Sequence, residues 1–175
     1  MSSSDPSCDV AHGVVRPGHS DRALVAVFAS PVAAFLLRYG ADLGFRGALL
    51  EPDKERAGGP NVPEDPAIEV VTEPPAWLGA DTDVVVTDHH RPELGPVLRD
   101  VLARPARWIG VMGNPRHPAP HVPALRGLGV ADEEIARVHR PIGLNIGSRT
   151  PAEIAVATLA GLLADRNGRP GGFEF

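Results

Sequence analysis

The chain has 175 residues, 43% of them hydrophobic, which is enough to bury a core without disulfide or metal staples. Its net charge of −5 and pI near 5.8 give no overall attraction to nucleic acid or anionic lipid. One cysteine, Cys8, excludes an intramolecular disulfide and a multi-cysteine metal centre.

Residues 1–20 carry Ser, Asp, Pro and Gly without periodicity and read as a loosely held tail, with no signal-peptide pattern. A single domain is expected over 21–168, and a short tail over 169–175. "ALVAVF" (Ala23–Phe28) reads as a strand and "VAAFLLRYGADLG" (Val32–Gly44) as a helix. "RGALLE" (Arg46–Glu51) is a second strand, followed by a Pro- and Gly-rich loop to Pro66. "AIEVVT" (Ala67–Thr72) and "TDVVVTD" (Thr82–Asp88) are the third and fourth strands. A helix over Glu93–Leu102 leads to a fifth, "RWIGVMG" (Arg107–Gly113). Two short helices, His121–Gly129 and Ala131–His139, precede a final helix from Pro151 to about Asp165. Its apolar residues run nearly all round, which predicts burial; it is also too short and alanine-rich to span a bilayer. The alternation predicts an α/β fold: a Rossmann-like, doubly wound parallel sheet of about five strands with helices on both faces.

In such a sheet, ligands bind where the strands end at their carboxyl edge. The first turn, "FASPVAA" (Phe28–Ala34), lacks the glycines that let a backbone approach a pyrophosphate. Ser30 caps the helix there, and the helix start still offers amides to an anion. Glu51 ends the second strand where an acid often holds a ribose hydroxyl; the alternative is a solvated carboxylate. Asp88, His89 and His90 end the fourth strand. Neighbouring side chains of an extended segment face opposite ways, so the His pair is a poor chelate and a polar lining role is preferred. At the end of the fifth strand, Gly113 permits a sharp turn, followed by Asn114 and by Arg116, either a phosphate partner or a solvated arginine.

"TPAE" (Thr150–Glu153) is a full helix-start signal, with Thr150 at N-cap, Pro151 at N1 and Glu153 closing a capping box. Its lead-in holds Gly143, Asn145, Gly147, Ser148 and Arg149. Together they form a candidate anion cradle that points the helix's positive end into the interior or a cleft, or else a loop tied down by its cap.

"WIGVMGN", "DVVVT" and "LRGLGVADEEIARVHRPIGLNIGSRTPAEIAVATLAG" resemble the C-terminal Rossmann-like domain of the XdhC/CoxI family, over roughly Leu24–Ala164. The family's "PIGL-x-IG-x-x-TPAEIA" signature stands at Pro141–Ala155. The resemblance implies a cytoplasmic accessory protein for molybdenum hydroxylases of the xanthine or carbon monoxide dehydrogenase type. It implies binding of molybdenum cofactor (molybdopterin or its nucleotide form), protection during sulfuration by a cysteine desulfurase, and delivery to the apoenzyme, often as a dimer. Only about twenty residues precede the first strand, so the family's separate N-terminal domain is expected to be absent. The chain also departs from the family at the first turn, Ala29-Ser30-Pro31-Val32-Ala33 against Gly-Ala-Gly-His-Val-Ala, at Thr87-Asp88-His89 against Thr-His-Asp, and at Gly113-Asn114-Pro115-Arg116 against Gly-Ser-Arg-Arg. The predicted function is a non-catalytic carrier, with Ser30, Glu51, Asp88, His89, Gly113, Asn114, Arg116 and the cradle residues holding the cofactor. The rivals are an NAD(P)-dependent oxidoreductase, against which stand the missing glycines and the absence of a Tyr-Lys pair, and an interaction module that has lost its ligand.

Overall fold

A computed structural model describes residues 21–172. The assignments to the first twenty residues, Cys8 among them, lie outside that range.

Six parallel strands form one sheet: β1 (Ala23–Val27), β2 (Arg46–Leu50), β3 (Glu69–Val71), β4 (Thr82–Val86), β5 (Trp108–Val111) and β6 (Val138–His139). The spatial order is β3-β2-β1-β4-β5-β6. β1 pairs with β2 on one side and β4 on the other, Val25 lying opposite both Ala48 and Val84. The helices are α1 (Pro31–Asp42), α2 (Leu94–Leu102), α3 (His121–Gly127), α4 (Asp132–Ile135) and α5 (Pro151–Arg166), with a single 3-10 turn at Arg56–Gly58.

The predicted class holds, with one strand more than expected. The stretch expected as a helix to His139 is helical only to Ile135, and Val138–His139 then joins β5 at the sheet edge.

Strand side chains alternate between two cores. Val25, Val27, Val84 and Val86 face Leu98 and Val101 of α2 and Leu125 of α3. Leu24, Ala26, Leu49 and Val85 face Leu36 and Leu37 of α1 and Ala155, Leu159 and Leu162 of α5. Buried on both sides, β1 and β4 can be apolar almost throughout, as central strands of a covered parallel sheet are.

Local chemistry sets the helix ends. Ser30 Oγ accepts from the Ala33 amide at 3.0 Å, and Pro31 takes the first turn of α1. α1 closes through Gly44 at φ +83°, with Phe45 N–H donating to Gly40 O and Gly44 N–H to Ala41 O, a Schellman closure. α5 is less enclosed than its composition predicts: Ala155, Thr158, Leu159 and Leu162 are buried, but Val156 is 50% exposed. The helix packs on one side of the sheet with nothing beyond it among the described residues, so its outer face is open.

The amino end of the sheet is held by Asp83, fully buried in β4, whose two oxygens accept from Arg107 Nε (2.6 Å) and Arg166 Nε (2.7 Å). Arg107 also pairs with Asp165.

Candidate functional site

β1 leads to α1 on one face and β4 to α2 on the other, so strand order reverses between them and their carboxyl ends flank the fold's crevice. The chain fills the β1 half of that crevice itself. Phe28, fully buried, sits at φ +73°, the left-handed region that costs a side-chain-bearing residue about 1–2 kcal/mol. The next amide, Ala29 N–H, donates to Glu51 Oε2 at 2.8 Å, and Asp53 N–H donates to Oε1 at 3.0 Å. Arg91 grips the same carboxylate with two parallel bonds, Nη1 to Oε2 at 3.0 Å and Nη2 to Oε1 at 2.9 Å. Its guanidinium carbon lies 4.6 Å from the Phe28 ring centroid, and Glu93 pairs with it from the outer side.

Glu51 is fully buried. Burial pushes its pKa up, but the Arg91 hydrogen bonds, the two amides and the Arg91 charge outweigh it and hold the carboxyl below its usual value. Glu51 is therefore neither solvated nor turned toward a ribose position; four donors point at it, and it serves as a built-in anion at the first turn. Ser30 is similarly committed. Thr87 Oγ1 donates toward Val27 O or Phe28 O, so the 2.8 Å Ser30–Thr87 bond uses the Ser30 proton, while Ser30 Oγ caps α1.

The β4–β5 half is differently furnished. Asp88 Oδ1 accepts from His90 N–H at 2.9 Å, and the His89 and His90 rings lie 4.1 Å apart. His89, half-buried, lies within reach of the Met112 backbone at the end of β5. Burial, then the charges of His90 and Arg140, lower its pKa. Beyond Gly113, Asn114 Oδ1 accepts from Arg116 N–H at 2.9 Å, and the Arg116 side chain is exposed.

Arg140, just past β6, reaches across to this turn. Its Nη2 donates to Asn114 O at 3.1 Å and its Nη1 to His117 O at 3.0 Å. A Cβ on Gly113 would lie 2.5–2.6 Å from Arg140 Nη2 and Nε, so the bare glycine makes room for the guanidinium. Arg140 Nε and His121 Nδ1 are buried without a partner among the described residues. His121 itself is 3% exposed, and burial, then the Arg140 charge, lowers its pKa.

The α5 lead-in divides. Thr150 and Glu153 form the predicted capping box, with Glu153 N–H donating to Thr150 Oγ1 at 3.2 Å. Glu153 Oε2 in turn accepts from the amides of Arg149 and Thr150. Asn145, Gly147 and Arg149 are exposed and Ser148 half-buried, so the helix start opens to solvent and not into the interior. Gly143, at φ +83°, lies against α5 instead: a Cβ there would sit 3.2 Å from Thr158 N, and Leu144 N–H donates to Ala157 O. Its glycine serves a close loop–helix seam.

A cavity of about 300 Å³ lies beside this seam, bounded by Trp108, His139, Leu144, Thr158 and Arg169. Another, about 360 Å³, lies between α1 and the long loop at Phe35, Arg38, Val62 and Glu64. Among the described residues no cluster of three His, Cys, Asp or Glu is arranged to hold a metal, and no helix is long and apolar enough to cross a membrane.

Residues 24–162 match the family model for the XdhC Rossmann domain. The chain belongs to the XdhC family. An Escherichia coli K-12 relative, described as the uncharacterized protein YqeB, is 43% identical over 75 residues, which are 43% of this chain and 14% of that protein. A crystal structure described as a xanthine dehydrogenase from Bacillus halodurans superposes with a TM-score of 0.64 at 19% identity, covering 88% of this chain and 45% of that one, and shows the shared fold. The chain thus spans less than half of either protein.

Three residues at this rim of the XdhC domain escape motif reading: Arg91, Arg140 and His121. Arg91 follows the fourth-strand motif directly, and the H-x-x-x-H spacing of His117 and His121 is the one signal that marks His121.

Proposed function

We propose that the chain is a non-catalytic accessory protein for a molybdenum hydroxylase, holding molybdenum cofactor at the carboxyl rim and passing it to the apoenzyme. Family membership over residues 24–162 carries this reading. The rim supports it on the β4–β5 side, where Asp88, His89 and Asn114 offer hydrogen-bonding edges suited to a pterin. Arg116 and Arg149 are exposed and available to an anionic group. Sulfuration by a cysteine desulfurase partner, a homodimeric state and a cytoplasmic setting belong to the same reading. The self-filled β1 turn speaks against an NAD(P) enzyme, since the amide and the acid that would receive a dinucleotide bond each other. That same closure favours one rival, an interaction module that has kept the fold without a ligand.

The experiment is to mix the protein with the cofactor and desalt it. Molybdenum and pterin fluorescence should emerge with the protein, and NAD(H) should produce no calorimetric heat. Loss of both signals at micromolar protein, with a hydroxylase subunit still co-purifying, overturns the carrier reading in favour of the interaction module.

A further inference from the structure

Arg91 and Arg140 both lie at the carboxyl rim, and their charges are treated differently. Arg91 is neutralised by Glu51 and Glu93. Arg140 has only the carbonyls of Asn114 and His117 and no carboxylate partner among the described residues. A half-buried guanidinium held by two carbonyls has no carboxylate among the described residues to neutralise it, which suits it to an anion. The two carbonyl bonds fix its orientation, and its Nε remains unpartnered. His121, 97% buried by its 3% exposure, leaves Nδ1 equally unpartnered, and the Arg140 charge reaches both His121 and His89.

We propose that Arg140, with His121 and His89, forms a subsite for a phosphate group on the β5 side of the rim. Arg140 supplies charge and donors, and the imidazoles supply neutral hydrogen-bonding groups that take up a proton as the anion arrives. Gly113 is a positioning residue, because only a residue without a side chain leaves the guanidinium its place. The subsite stands on this geometry; its assignment to the terminal phosphate of a molybdenum cofactor rests on the function proposed above.

The test is titration with inorganic phosphate at fixed ionic strength, followed by calorimetry and by NMR of the histidine rings. Saturable binding with an upward shift of the His89 and His121 titrations is expected. Arg140→Met should weaken binding about tenfold or more, the scale of a lost charge-assisted bond. Gly113→Ala should do the same at little cost to the fold, since the added methyl meets only the movable end of Arg140. Arg38→Ala, on α1, should leave phosphate binding unchanged. No saturable response to millimolar phosphate, or an affinity in Arg140→Met and Gly113→Ala unchanged from the parent protein, overturns the proposal. Phosphate binding without cofactor retention keeps the subsite and sinks the carrier reading. Cofactor retention undiminished in Arg140→Met keeps the carrier reading and sinks the subsite's assignment to the cofactor phosphate.

Discussion

Replacing Arg91 with Met tests the claim that the first turn is locked from within. The substitution keeps most of the side-chain volume beside Phe28 but removes both bonds to Glu51 and, among the described residues, the only cation that pairs with that carboxylate. Glu51 is fully buried and keeps only the Ala29 and Asp53 amides. Removing one partner of a buried pair costs about 3–5 kcal/mol. For a domain of this size that corresponds to a fall in Tm of about 10 °C. Urea or thermal unfolding at pH 7 and pH 5 measures it.

The pH dependence has a defined sign. In the native protein Glu51 titrates below its unfolded value, so its contribution is complete above that value and is lost as pH falls through the lower, folded one. In the variant, burial acts without the opposing cation and moves the folded value upward, so acidification relieves the penalty. The stability gap between the two proteins should therefore narrow from pH 7 to pH 5. A loss below about 1 kcal/mol at pH 7, the range of exposed pairs, would refute the argument that Glu51 is an internal anion.

Three further outcomes are expected. Thr150→Ala removes the cap oxygen of α5 and should cost about 1 kcal/mol in chemical denaturation. Gly143→Ala, forced to φ +83° with a methyl against the α5 backbone, should cost about 2 kcal/mol. His89 and His121 should titrate below 6.5 by NMR, and stability should fall as pH drops through that unfolded value, because the unfolded chain binds the protons more readily; His121→Phe should flatten that slope.

What the sequence reveals and conceals follows from the range of each interaction. The central strands, the Ser30 cap and the Thr150–Glu153 box are written in neighbouring residues, and all are found where expected. β6 is two residues long, too short to show a period, and exists only because β5 offers a ladder. Glu51 occupies its anticipated place at a strand end, yet its role depends on Arg91, forty positions away. Gly143 reads as part of an anion cradle because a glycine for ligand approach and a glycine for helix packing look identical in one dimension. The burial of His121 is likewise a product of where α3 lands on the sheet, and its heptapeptide holds no periodic clue to it.

The Asp83 clasp ties distant parts of the chain together at the amino rim of the sheet. β4, β5 and the tail of α5 are riveted together at the amino end through Asp83, Arg107 and Arg166, 24 and 83 positions apart in sequence from the aspartate. The loops that carry His89, Asn114 and Arg149 lie at the opposite end and take no part in those bonds. A rearrangement confined to those loops therefore leaves the rivets fastened.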